Sequence, residues 1–277
     1  MRALLLSCLI VLSAGAAAGA ADQPCAGLSP GPTATVSHII DGETLRLSDG
    51  RELRLAGIIA PRPDDAGAAP GKWPSAVAAR AELEALALGR EVAILFGGAR
   101  EDRYGRHVGH GVIAAPAGGA QTWLAGHLVQ QGLVRVMTSA QNRACASELL
   151  ALEREARASR LGLWAEAAYQ VREAREGDAL AALRGTFQIV EGEIAKAETG
   201  RGVLRLELAG PRARPLRASV PVSRAGPGQL PDGTALTGKW ARIRGFLEER
   251  GGAPFLDLAV TGDLELVEAP RLQRGGP

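Results

Sequence analysis

The sequence predicts a mainly β chain with helices, an α+β arrangement of two small β-barrels in series. Three observations carry this. Short segments alternating apolar and polar residues recur along the chain, separated by Asp-Gly and Gly-Gly turn signals. Helix-period segments are concentrated between residues 75 and 160. Hydrophobic residues make up 46% of the 277 positions and aromatics only 4%, so a sizeable core is possible and must be built mainly from Leu, Val, Ile and Ala.

In the first barrel, residues 34–47 have strand character broken by the Asp41-Gly42 turn. Asp49-Gly50 leads into a third strand over 53–59. Residues 61–74, rich in Pro, Gly, Asp and Ala, read as a surface loop. Ser75 is placed to cap a helix running to about Leu88, with Gly89 as its stop. Residues 91–96 and 108–114 are strands flanking a polar connection. Thr122 is placed to cap a second helix ending at Gly132. A third, over 144–160, puts Leu149, Leu152 and Ala156 on one face. Residues 171–183 are charged and Ala-rich and read as a helical linker. Beyond Gly185, alternation returns over 187–198, 203–208, 216–222, 240–248 and 254–261. Five strands with a break before the fourth suggest a second small closed barrel.

The termini read differently. Arg2, an apolar run over 4–14 and Ala18-Gly19-Ala20 form the three parts of a signal peptide cleaved after Ala20. Leu6-Ser7-Cys8 comes too early in the apolar run to serve well as a lipoprotein box. Cleavage leaves Cys25 and Cys145, an even pair in an oxidising compartment that is expected to form one disulfide, the alternative being two buried thiols. No further segment has the length and apolarity of a membrane span, and the product is expected in the periplasm or secreted. A net charge of +2 argues against a protein that coats nucleic acid, but not against a local basic pocket.

Five fragments in register share a resemblance. They are Ile40-Asp41-Gly42-Glu43-Thr44, Arg54-Leu55-Ala56-Gly57-Ile58, Asp102-Arg103-Tyr104-Gly105-Arg106, Gln131-Gly132-Leu133 and Gly162-Leu163-Trp164. Over residues 35–164 their order and spacing resemble the staphylococcal nuclease (thermonuclease-like) family. The resemblance implies an OB-fold five-stranded barrel with three helices, followed here by a second OB-like barrel. With the resemblance, the residues divide the chain into a signal peptide over 1–20, an N-terminal segment over 21–33, the nuclease-like domain over 34–168, the linker over 169–184, the second β domain over 185–270 and a tail over 271–277.

The resemblance also implies chemistry. The family hydrolyses phosphodiesters with a calcium ion on two Asp carboxylates, a Glu that activates water and two Arg that bind the phosphoryl oxygens. Arg54 and Arg106 match the two arginines, and Tyr104 matches a tyrosine near the nucleotide. Glu43 takes the place of the first calcium Asp, and Asp41 matches an outer acid, so these two would be a vestigial metal pair. Arg62 and Arg103 join Tyr104 as expected ligand-binding residues. The pattern then fails: the family's Asp-Thr-Pro-Glu is Ile59-Ala60-Pro61-Arg62 here. Isoleucine cannot ligate a metal, and a guanidinium does not give up its proton to act as a base. A tyrosine expected after the second helix is replaced by Met137 and Thr138.

These residues predict a degenerate site that binds phosphate or nucleic-acid-type anions without calcium and with little or no hydrolysis. The alternatives are a calcium-dependent endonuclease with a rearranged metal site, to which Asp64 or Asp65 would contribute, and an envelope protein-interaction scaffold. His107 and His110, three apart on a strand, point to opposite faces and do not suggest a shared ion. Trp73, Trp123 and Trp164 read as packing residues.

Overall fold

Strand β1 (Ser29–Ile39) is long enough to serve two neighbours, and this closes the first barrel. In the computed structural model its C-terminal part pairs with β2 (Thr44–Leu47), while its N-terminal part pairs with a later strand. Register shifts between Val36 and His38 and between Pro30 and Thr33 bend it from one partner to the other. The structure describes residues 24–62, 65, 73–114, 120–224 and 233–270. The expected signal peptide, Asp64 and the tail over 271–277 lie outside them.

The chain continues through β3 (Glu52–Leu55), β4 (Ile58–Ile59), α1 (Pro74–Ala87), β5 (Glu91–Phe96) and β6 (His107–Ile113). The sheet order β3-β2-β1-β5-β6 closes through a parallel β3–β6 pairing. This is a closed five-stranded barrel with the strand order of an OB fold. β7 (Thr122–Trp123) extends β6, and α2 (Leu124–Gln130), β8 (Arg135–Val136) and α3 (Ala146–Ala158) follow. The barrel is filled by Leu45, Leu53, Leu55, Val92 and Ile94, with Leu83, Leu128 and Leu149 closing it from the helices.

The second barrel repeats the device. After β9 (Arg172–Glu173) and α4 (Gly177–Ala182) come β10 (Phe187–Gly200), β11 (Val203–Leu208), β12 (Arg217–Pro221), β13 (Trp240–Arg250), β14 (Ala253–Asp257) and β15 (Leu264–Val267). β10 pairs with β13 through its first half and with β11 through its second, with a register shift between Ile194 and Lys196. The parallel β12–β14 pairing completes a ring of the same order as the first.

Several local expectations are corrected. The first strand begins at Ser29, inside the segment expected to precede the domain. Ser75 lies within the first turn of α1 and donates its hydroxyl to Glu166 Oε1 at 2.5 Å instead of capping the helix. Thr122 is in a strand paired with Ile113, because that strand continues the sheet before α2 can start. The stretch over 169–184 is not a continuous helical linker: only Gly177–Ala182 is α-helical, and Ala174 and Leu180 are buried in the second core.

The two barrels share a seam. Ile59, Trp73 and Trp164 of the first form one apolar cluster with Tyr169, Phe187 and Ile189. Gly132 and Gly162, the glycines of two recognised fragments, meet backbone to backbone beside it. Both have positive φ, and a Cβ on either would strike the other's segment. Leu163 N donates to Gly132 O at 2.9 Å across that contact. Cys25 and Cys145 are joined by a disulfide, with Cα atoms 5.3 Å apart, tying the chain before β1 to the start of α3.

Candidate functional site

The Asp41-Gly42 turn is closed by its own side chain: Asp41 Oδ1 accepts the Glu43 amide at 2.8 Å. Leu55 N donates to Glu43 O at 2.8 Å, which fixes the turn against β3. On β3, Leu53 and Leu55 point into the barrel, so strand alternation turns Arg54 outward beside the turn. Glu43 is nevertheless 4% exposed. Its Oε1 accepts Arg54 Nε and Nη2 at 3.3 and 3.2 Å and Arg62 Nη2 at 3.3 Å. Its Oε2 accepts the Ala60 amide at 2.8 Å. Both carboxylate oxygens therefore already have N–H donors.

The second fragment folds on itself. Asp102 Oδ1 accepts the amides of Tyr104 and Arg106 at 2.9 and 3.1 Å, and Oδ2 accepts Arg106 Nε at 2.8 Å and Nη2 at 2.7 Å. Burial pushes the Asp102 carboxyl up, but the Arg106 guanidinium and the two amides outweigh it and hold it below the usual carboxylate range. Tyr104 is 67% exposed, and the guanidinium carbons of Arg103 and Arg106 stand 4.8 and 5.3 Å from its ring centroid. Arg103 also donates to the Tyr104 hydroxyl at 2.6 Å.

Both clusters line one cleft of about 1300 Å³. Arg54, Arg62 and Arg106 share it, but the third is paired with Asp102 while the first two share Glu43. Five arginines and four carboxylates line the cleft, so its charge is only slightly positive. Arg80 of α1 and Phe246 of β13 line it too, and sequence reasoning passed over both. Phe246-Leu247 breaks the alternation of its strand, which is the signal that was available.

The other expected acids and histidines lie elsewhere. Asp65 Oδ2 accepts the Arg62 amide at 3.1 Å, the Tyr169 hydroxyl at 2.9 Å and Arg135 Nη2 at 3.4 Å, so its carboxylate is held at the seam. Arg135 in turn donates to Phe187 O at 2.6 Å. Ile59 is 1% exposed in the seam cluster. His110 is buried edge-on against Trp123, and burial pushes its pKa down to about 4. His107 meets Arg51 on the outer side of the barrel. Among the described residues no group of three or more His, Cys, Asp or Glu is placed to hold a metal. No helix among them is long and apolar enough to cross a membrane.

The family model described as Staphylococcal nuclease homologue matches residues 52–166. Those residues form a staphylococcal nuclease-like domain. The matched range holds Arg54, Arg62, Tyr104 and Arg106. It starts after the turn bearing Asp41 and Glu43 and stops before the second barrel. No curated protein matches the chain. A domain of this kind suggests a nuclease-related function.

Proposed function

We propose that this is an exported protein whose nuclease-like site binds nucleic acid or related phosphate-bearing anions and hydrolyses them slowly or not at all. The observation that carries the reading is the state of Glu43. Its carboxylate is held by Arg54, Arg62 and the Ala60 amide, and Arg62 occupies the place where the family pattern has its water-activating Glu. Both Glu43 oxygens are taken up by N–H donors, and the Arg62 guanidinium, which keeps its proton, cannot act as the base.

The residues present do not suit calcium. The ion takes about six to eight oxygen ligands. Both Glu43 oxygens are committed to N–H donors, and Asp41 gives Oδ1 to the Glu43 amide. Arg54 and Arg62 against Glu43 leave one net positive charge at that corner. An incoming phosphate would take up the guanidinium donors that Glu43 now occupies. Export rests on the signal-peptide pattern and agrees with a Cys25–Cys145 bond, which persists in oxidising compartments.

Fluorescence polarisation with a labelled oligonucleotide tests the reading. Binding should fall as salt rises and be insensitive to chelator, with no cleavage over hours. A calcium-dependent hydrolase is the second reading, favoured by the presence of Glu43, Arg54 and Arg106 in one cleft. Calcium-dependent cleavage that disappears in Glu43→Ala would establish it instead.

A further inference from the structure

One wall of the cleft belongs to the other barrel. Phe246 of β13 lines it, with 42% of its surface exposed. Phe187 holds the ring edge to face, with centroids 5.6 Å apart and planes at 76°. Phe187 is itself buried in the seam, and its carbonyl accepts Arg135. Phe246 is thus an exposed aromatic on a rigid support. Met137 of the first barrel lines the same cleft.

An exposed aromatic ring in a cleft is unfavourable until something flat and apolar covers it. The same cleft presents Arg54 and Arg62 to an anion. A ligand that satisfies both carries phosphate and a π face, which describes a strand of nucleic acid spanning the cleft. An acyl chain would need a continuous apolar channel. The lining here instead sets apolar side chains such as Phe246, Met137 and Val77 among five arginines and four carboxylates.

We propose that Phe246 stacks against a base of single-stranded nucleic acid whose phosphate lies on Arg54 and Arg62, so that the second barrel completes the binding site of the first. This rests on the anion-binding reading above. Stacking on an exposed aromatic suits any base, so affinity should depend weakly on sequence.

The test uses the full chain in chelator, with labelled oligothymidylate and, separately, inorganic pyrophosphate, which has no base. Phe246→Ala and Phe246→Leu should each weaken oligonucleotide binding roughly tenfold, the scale of one lost stacked base, and leave pyrophosphate binding unchanged. Phe246→Trp should retain it. The leucine variant keeps apolar bulk against Phe187, so a loss there cannot be put down to an opened seam. Arg54→Ala should weaken both ligands. If the Ala and Leu variants bind oligonucleotide like wild type while Arg54→Ala does not, the stacking role is wrong and anion binding stands. If wild type binds neither probe, both readings fall. If Phe246→Ala instead releases the protein from phosphatidylglycerol vesicles with oligonucleotide binding intact, the ligand is an amphiphile and the proposal is overturned.

Discussion

Arg244 of the second barrel places Nη1 2.7 Å from Oε2 of Glu153 in α3 of the first, with 1% and 0% of the two side chains exposed. Each charge has further partners. Arg244 Nη2 donates to Glu265 at 2.6 Å and Nη1 to Val136 O at 3.2 Å, while Glu153 Oε1 accepts the Val136 amide at 2.8 Å. Burial alone would lower the arginine's pKa, but Glu153 and Glu265 outweigh it and raise it.

The buried pair makes the two barrels one unit energetically. Arg244→Met should cost about 3–5 kcal/mol, because it leaves buried Glu153 with only the more distant Arg157, and Glu153→Gln less, because Glu265 still holds Arg244. The double variant should cost less than the sum, as coupled sites do. Urea unfolding of the four proteins measures this. A chain nicked between residues 165 and 184 should likewise run as one species on gel filtration, not as two separate pieces.

In the cleft Glu43 is the counter-ion of Arg54 and Arg62. Glu43→Gln keeps an acceptor for the Ala60 amide and removes the charge that Arg54 and Arg62 share. Two unit charges about 4 Å apart near a surface interact by roughly 4 kcal/mol, less where one is half-exposed as Arg62 is. Pyrophosphate binding by calorimetry should therefore tighten about tenfold. Weaker binding in the variant would mean that Glu43 orients the arginines more than it neutralises them.

Asp263 gives the seam a pH dependence. Burial pushes its pKa up to about 6, against the opposing hydrogen bonds from Val260 N and Thr138 and the charge of Arg244. Thr138 Oγ1 donates to it at 3.0 Å across the seam. An acid whose folded pKa lies above its unfolded value binds more protons when folded, so its contribution is greatest at low pH and is lost as pH rises through about 6. His110 works the other way, with a folded pKa near 4. Comparing wild type with Asp263→Asn cancels that contribution. The stability of wild type relative to the variant should fall between pH 4 and pH 6. A flat difference would show that Asp263 is not the group responsible.

What could be read from the sequence follows the range of each interaction. The alternation of Leu53-Arg54-Leu55 and the Asp-Gly turn are local, so both the strands and the outward face of Arg54 were legible. The Asp102–Arg106 segment was legible only as part of a polar connection and a family fragment, and its closure by the Asp102 side chain came from the structure. Arg106 was expected to converge with Arg54 and Arg62. It lines their cleft, but its guanidinium is held by Asp102, four residues away. The seam was not legible. Arg244 occupies a position that reads as a surface charge in an alternating strand, and its partner is 91 residues distant. Phe246 needs the second barrel docked on the first before it faces any site. The helical linker failed for the opposite reason: its local helix propensity lost to burial of Ala174 and Leu180 in a core assembled much later in the chain.

The same limit changes what restoring the family's carboxylates should do. On the sequence alone, Ile59→Asp with Arg62→Glu returns both missing acids and is expected to recover some calcium-dependent cleavage. Ile59, however, is 1% exposed and belongs to the apolar cluster of Trp73, Trp164 and Phe187 that joins the barrels. A carboxylate there loses its water and finds no partner, at a cost of several kcal/mol. For a chain of this size about 3 kcal/mol corresponds to a fall of roughly 10 °C in melting temperature. Arg62 is half-exposed, but Arg62→Glu removes one partner of the buried Glu43 and sets a like charge beside it, so it should cost about 1 kcal/mol, less than the change at position 59. Most of the loss in the double variant should therefore trace to position 59. Cleavage should stay absent, because the new Asp is drawn into the seam or unfolds it before it can hold an ion. Calorimetric melting of both single variants and the double, beside a calcium-dependent plasmid-cleavage assay, decides the matter. A double variant that melts like wild type and cuts DNA would mean that position 59 faces the cleft and that the seam does not depend on Ile59.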